Sequence, residues 1–239
     1  KLANNIDPQF FFYENASTLV KRRYVTSDMA KLFEVYFCDI EQSNELDDEA
    51  CHWMQQSLKS YDIVVVPDFG NGFISPVMVN GLVEYSNYLA VNTQINSGNR
   101  GFHVINRYSH VDFVSLNEPE VRLAAHNLYD PIEQVAKQVG ERVNAKQIAI
   151  TQGPKGAVLM DLENEKKYHV PALSTKVVDR IGAGDTFLSL TALCSGSDLP
   201  ADLSVFVGSV AAALDVLVVC NREPTKPVDL YKYMTTLLK

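Results

Sequence analysis

A chain of 239 residues, 46% hydrophobic and 21% charged, has the balance of an ordinary globular protein and is long enough for one sizeable α/β domain. A net charge of −8 argues against nucleic acid as a partner, because a phosphate backbone calls for a basic surface. The four cysteines, Cys38, Cys51, Cys194 and Cys220, form no C-x-x-C pair and lie in apolar segments, which reads as reduced, buried thiols in a cytoplasmic protein. The polar start, residues 1–9, lacks the apolar core of a signal peptide. The longest apolar stretch, 203–220, is interrupted by Ser204, Gly208, Ser209 and Asp215, so it reads as a buried helix and no membrane partner is expected.

Residues 9–40 read as β structure. Phe10-Phe11-Phe12-Tyr13 is strongly β-prone, 17–25 mixes apolar and basic residues, 31–38 partly alternates, and Thr26-Ser27-Asp28 has turn composition. From Asn44 the period changes: Leu46, Ala50, Trp53, Met54 and Leu58 fall at helical spacing over 45–58. The run 62–67 predicts a buried parallel strand, followed by the Gly-rich Asp68-Phe69-Gly70-Asn71-Gly72 and a helix over 76–88. Ligands of open α/β sheets collect at the carboxyl ends of strands, which puts Asp68 near a ligand edge; an aspartate capping its own loop fits the same letters.

A strand is predicted at 89–93, then a polar loop over 94–100 and a short helix. The next strand, 111–116, runs into Asn117-Glu118-Pro119-Glu120. An oxygen-bearing pair at a strand end can hold the waters of a magnesium ion, and an acidic helix N-terminus with Pro119 in its first turn explains the same residues. A helix over 131–140 precedes a strand at 147–151, and Gly153-Pro154-Lys155-Gly156 makes a turn before another strand. Residues 168–172 read as an edge strand on which His169 is structural.

The rest of the chain is organised around Val178-Asp179-Arg180-Ile181-Gly182-Ala183-Gly184-Asp185-Thr186-Phe187. Glycines let consecutive N–H groups converge, and the opening turn of the helix predicted from Phe187 adds unsatisfied donors and the positive end of its dipole. Together they form an anion site, and Asp185 beside it is placed to take a proton from an attacking hydroxyl. That is equipment for phosphoryl transfer. A Gly-x-Gly before a helix is also often a plain tight loop. A dinucleotide-binding turn would need a third glycine where Phe187 stands, and an earlier place in the chain. A long helix restarts after Asp198-Leu199-Pro200-Ala201-Asp202, and an amphipathic helix over 229–238 closes the chain.

At these residues the sequence resembles the ribokinase-like (PfkB) carbohydrate kinases, whose late signature is D-T-x-G-A-G-D. The family's N-x-x-E and T-x-G-x-x-G elements match Asn117 and Glu120, and Thr151, Gly153 and Gly156, in the family order. The resemblance implies an α/β fold with a central, mostly parallel sheet flanked by helices and a small β lid near the N-terminus. It divides the chain into the lid and its connections, 1–43, and a nucleotide-binding kinase core, 44–239. It makes Asp185 the catalytic base and the amides of Gly182, Ala183 and Gly184 the anion hole. It gives ATP contacts to Thr151, Gly153, Gly156, Asn117 and Glu120, with Mg²⁺ held near Asn117 and Glu120 through water. Asp68 and Lys21 are expected on the side of a sugar or sugar-phosphate acceptor, and a homodimer through the lid.

Residues 18–23 and the 68–72 loop look most like heptose-phosphate kinases of the RfaE/HldE type. Arg180 and Val210 depart from the family, which has a small residue at the first position and often an asparagine at the second. The family also begins with a βαβ region carrying an early aspartate and a glycine pair. Nothing before the lid supplies these, and Lys1 is not a methionine, so a missing front region is expected. A non-catalytic nucleotide- or sugar-binding regulator of the same fold is the alternative reading.

Overall fold

The computed structural model describes residues 4–12, 17–26, 31–37, 44–96, 98–219 and 223–239. The turn expected at Ser27-Asp28 and the thiols of Cys38 and Cys220 lie outside them. Cys51 and Cys194 are free, partly buried thiols, both pushed to higher pKa by burial.

Strands β1 (Val20–Val25) and β2 (Lys31–Phe37) pair antiparallel as a sheet of their own, with Lys21 opposite Tyr36. They are not an edge of the main sheet. That sheet holds six strands side by side in chain order: β3 (Val64–Asp68), β4 (Leu89–Thr93), β5 (Phe113–Asn117), β6 (Gln147–Thr151), β7 (Ala157–Asp161) and β8 (Lys166–Val170). β3 to β6 run parallel, β7 returns antiparallel to β6 through the turn at 152–156, and β8 pairs antiparallel with β7. β8 is the edge strand expected near 168–172, and its exposed Lys166 and Lys167 keep that edge polar.

Alternation at period two sorts the parallel strands onto two apolar faces. Leu89, Val91, Val114, Leu116, Ile148 and Ile150 point into one core with α1 (Asn44–Ser57), α2 (Pro76–Tyr85), α3 (Glu118–Ala125) and α4 (Ile132–Arg142). Ala90, Phe113, Ala149 and Leu159 point the other way, into a core with Phe187, Leu188 and Ala192 of α5 (Ala183–Gly196) and Ala201 and Val205 of α6 (Ala201–Asp215). Covered on both sides, β4 is buried along its whole length, which is why Leu89, Ala90 and Val91 run on without a polar break before Asn92 and Thr93 at its carboxyl end. A last helix, α7 (Pro227–Leu237), packs on α6. No helix among the described residues is long and apolar enough to cross a membrane.

Three expectations are corrected. Residues 10–12 form no strand: Phe11 instead stands edge-on to Trp53 of α1, with ring centroids 5.8 Å apart, and a strand requires a paired neighbour that this segment lacks among the described residues. α2 stops at Tyr85 rather than 88, because Ser86 turns extended to feed β4 and the Asn87 side chain is tied to the carbonyls of Lys59 and Tyr61. The short helix expected after residue 100 is a single 3₁₀ turn, Ile105–Arg107.

α5 and α6 approach closely where Gly208 faces Thr191. A β-carbon at Gly208 would come within 1.8 Å of Thr191 Oγ1 and 3.2 Å of the Phe187 ring. Gly208→Ala should therefore lower stability by about 1–3 kcal/mol, read as a fall in the denaturation midpoint. Adding Thr191→Ala should recover part of that loss, and strictly additive effects would contradict the close contact.

Candidate active site

β4, β5 and β6 end together at a cavity of about 280 Å³. Its floor is built from residues at or just past those strand ends: Asn92, Gln94 and Ile95 after β4, Ser115 to Asn117 on β5, and Thr151 on β6. The facing wall is Arg180, Gly182, Gly184 and Asp185, and Glu120 of α3 completes the lining. Carboxyl ends of parallel strands are where open α/β sheets place ligands.

The wall depends on Gly182, whose φ of 91° turns the incoming chain directly into α5. A side chain would strain that backbone. The helix therefore begins at Ala183, not at Phe187 as the apolar run implied, because Gly182 already sets its first turn. The first main-chain bond of the helix runs from Thr186 N–H to the Gly182 carbonyl, at 2.8 Å. The amides of Ala183, Gly184 and Asp185 precede it, and no side chain caps them. A β-carbon on Gly184 would meet nothing within 4 Å, so its bareness serves the open cavity rather than internal packing. The result is a tip of free donors with the positive end of a 14-residue helix behind it.

Asp185 stands on that first turn, half-buried, and Gln94 Nε2 donates to its Oδ1 at 3.1 Å. Burial pushes its carboxyl above the ordinary aspartate range. Lys21 of β1 pulls the other way, Asp215 adds to the rise, and the Gln94 bond opposes it. Asp215 ends α6, is bonded to the Thr186 side chain, and keeps an Oδ2 with no partner among the described residues. Sequence reasoning missed Gln94 and Asn92, although both sit at the carboxyl end of a buried strand. Asn92 donates to the Ser115 carbonyl at 2.9 Å, and its own Oδ1 is buried without a partner among the described residues, so it offers the cavity an acceptor.

Asn117 and Glu120 occupy both roles that the sequence left open. Asn117 caps α3: its Oδ1 accepts from Glu120 N–H and Glu120 Oε2 accepts from Asn117 N–H, each at 2.9 Å. The same residues line the cavity. Glu120 is only 7% exposed; burial raises its pKa, against bonds from the Asn117 and Ile95 main chain, and nearby Asp185 adds to the rise. With those oxygens already accepting amides, the pair is suited to holding a cation's waters rather than the bare ion.

Thr151 also lines the cavity, whereas Gly153 and Gly156 lie beyond it in the 152–156 turn. A β-carbon at Gly156, φ 90°, would fall 2.0 Å from the Val170 carbonyl, so this glycine is required for β7 and β8 to pair. His169 bonds the Lys155 carbonyl at 3.0 Å, in keeping with a structural histidine. Val210 is fully buried and belongs to the core.

The structure does not bring Asp68 to the cavity. At 3% exposure, its Oδ1 meets His103 Nε2 at 2.9 Å, and its Oδ2 accepts from Arg107 at 3.1 Å and Tyr108 at 2.9 Å. Burial works to raise its pKa, but His103, Tyr108 and Arg107 hold it below the ordinary value. With both oxygens taken, Asp68 fixes the start of the 68–72 loop. That loop presents Phe69 to Lys21, whose ammonium stands 5.1 Å from the Phe69 ring and 5.2 Å from the Tyr36 ring. Lys21 thus joins the two-stranded sheet to the loop and favours the charged form of Asp185. Carbon-13 NMR titration of the Asp185 carboxyl should give a midpoint above that of an exposed aspartate. Lys21→Ala should move it higher still, since a cation that favours the carboxylate is removed; an unmoved midpoint would break the link.

The pfkB family carbohydrate kinase profile matches residues 102–226, just over half of the chain. The bifunctional protein HldE of Campylobacter fetus is 26% identical over 182 residues, which cover 75% of this chain and 38% of that protein. The chain thus spans well under half the length of that relative. Among solved structures, a ribokinase from Thermotoga maritima superposes with a TM-score of 0.72 at 17% identity, covering 92% of this chain and 70% of that one. An Arabidopsis thaliana ribokinase complexed with ribose and ATP gives 0.65 at 17% identity, covering 92% and 70%. With a ribokinase-like sheet, a separate two-stranded sheet beside it and the family profile matched across the β5-to-α6 half, the chain belongs to the pfkB family of carbohydrate kinases.

Proposed function

We propose that this chain is the kinase part of an ATP-dependent carbohydrate kinase that places a phosphoryl group on a hydroxyl of a sugar or sugar phosphate, a heptose phosphate being the acceptor the HldE likeness favours. The observation that carries the reading is the juxtaposition of Asp185 with the uncapped α5 tip in one cavity. Asp185 takes the proton of the acceptor hydroxyl as its oxygen attacks the terminal phosphorus. Burial raises its pKa, which makes its carboxylate a stronger base than that of an exposed aspartate. The amides of Gly182, Ala183 and Gly184, with that of Asp185 on the same turn, hold the charge that gathers on the transferred oxygens, and each such donor is typically worth about 2.7–4 kcal/mol of barrier. A bound magnesium ion neutralises phosphate charge, and Asn117 and Glu120 are the residues that would hold its waters.

On this reading Thr151, with Gly153 and Gly156 behind it, borders the nucleotide. Lys21 lies on the acceptor side, and Asp68 acts there only by fixing the loop under Lys21. Residues 1–43 are then a lid and its connections, and 44–239 the nucleotide-binding core of a cytoplasmic enzyme. The lid's apolar surface supports a homodimer: Leu32, Phe33 and Phe37 are 63%, 54% and 50% exposed, and Phe33 stacks on Tyr24 with centroids 4.4 Å apart.

Asp185→Asn should leave nucleotide affinity near that of the parent while cutting turnover on a panel of sugars and sugar phosphates by at least about 100-fold. Near-parental turnover would remove Asp185 from the role of base. For the lid, Phe33→Lys should shift the protein to monomer in sedimentation, and an unchanged sedimentation coefficient would exclude this face as the dimer contact.

A further inference from the structure

The cavity wall carries two carboxylates, Asp185 and Glu120, and a single cationic side chain, Arg180. A nucleotide polyphosphate adds several negative charges to those two. The α5 tip answers with roughly half a unit of positive charge, and that falls off within a turn. The remaining compensation within the lining is one guanidinium. Arg180 is exposed at the rim, two residues before the Gly182 turn, and makes no hydrogen bond or ion pair among the described residues. Its neighbour Asp179 is turned to the chain itself, with Oδ1 accepting from Ile181 N–H at 3.1 Å. Among the described residues, therefore, no bond has to be broken before the guanidinium can engage a ligand.

The geometry points to Arg180 as a phosphate clamp for the nucleotide, a role that rests on the kinase reading above and adds a specificity-determining residue to it. A planar fork of N–H donors matches two phosphate oxygens at once, which a lysine cannot reproduce. Its place beside the α5 amides lets fork and helix tip grip the same chain of phosphates from adjoining points. Contacts to the nucleoside end lie outside its task, so discrimination between ATP and adenosine is its signature.

The test is calorimetric binding of MgATP and of adenosine to the parent, Arg180→Ala and Arg180→Lys proteins. Arg180→Ala should weaken MgATP about 10- to 100-fold and leave adenosine unchanged, with Arg180→Lys in between. Parental MgATP affinity in Arg180→Ala, or equal losses for MgATP and adenosine, would overturn the clamp while leaving the kinase reading intact. So would a loss confined to the KM of a phosphorylated acceptor. Should Arg180→Ala fail to fold by thermal melting, Arg180→Lys decides, and parental MgATP affinity there overturns the clamp. A parent protein that binds neither ligand would bring down the nucleotide reading itself, and the clamp with it.

Discussion

The site depends on one backbone turn. Gly182 takes a φ that side chains rarely tolerate, and that turn lets an extended segment become a helix without a capping residue. Leaving the cap out keeps three amides free, and the same turn puts Asp185 on the third helical position beside them. Two influences on that carboxyl then compete. A helix N-terminus and Lys21 favour the charged form, and burial disfavours it. Burial is the larger effect, so the carboxyl is more basic than that of a fully solvated aspartate.

Around this turn the polar residues divide by what their oxygens are already doing. Asp68 looks like a ligand group in the sequence, yet His103, Arg107 and Tyr108 consume it. Asn117 and Glu120 look like either a helix cap or a metal motif, and they are a cap whose placement turns them toward the cavity. Capping fixes both side chains rigidly, so the fold obtains a positioned pair of oxygens from a requirement it had to meet anyway. Asn92, with one buried oxygen left unpartnered, is the reverse case.

The strands at 89–93 and 147–151 were legible to the residue, because each has a short apolar run, Leu89 to Val91 and Ile148 to Ile150, flanked by polar residues, as a strand of a doubly covered sheet does. The late Gly-rich motif announced the site for the same local reason: its glycines and carboxylate act within a single turn. Gln94 could not be read, since its meaning comes from a residue 91 positions away. Asp68 was half legible: it caps its own loop by accepting from Gly70 N–H at 3.3 Å, as its place before a Gly-rich turn allowed, while its other partners lie about 40 residues downstream. The aromatic run at 10–12 misled because β-propensity describes a willing strand and says nothing of a partner.

The strictly sequential order of the main sheet has a consequence for how the molecule comes together. Each strand docks beside the one synthesised just before it, so the sheet can grow outward by short closures without threading. α5 breaks that rule, since it reaches back across β3, β4 and β5 only after β8 has been laid down. Asp185 and the amides of the α5 tip are therefore delivered only after all six strands of the main sheet have been made, to a platform whose order is already set.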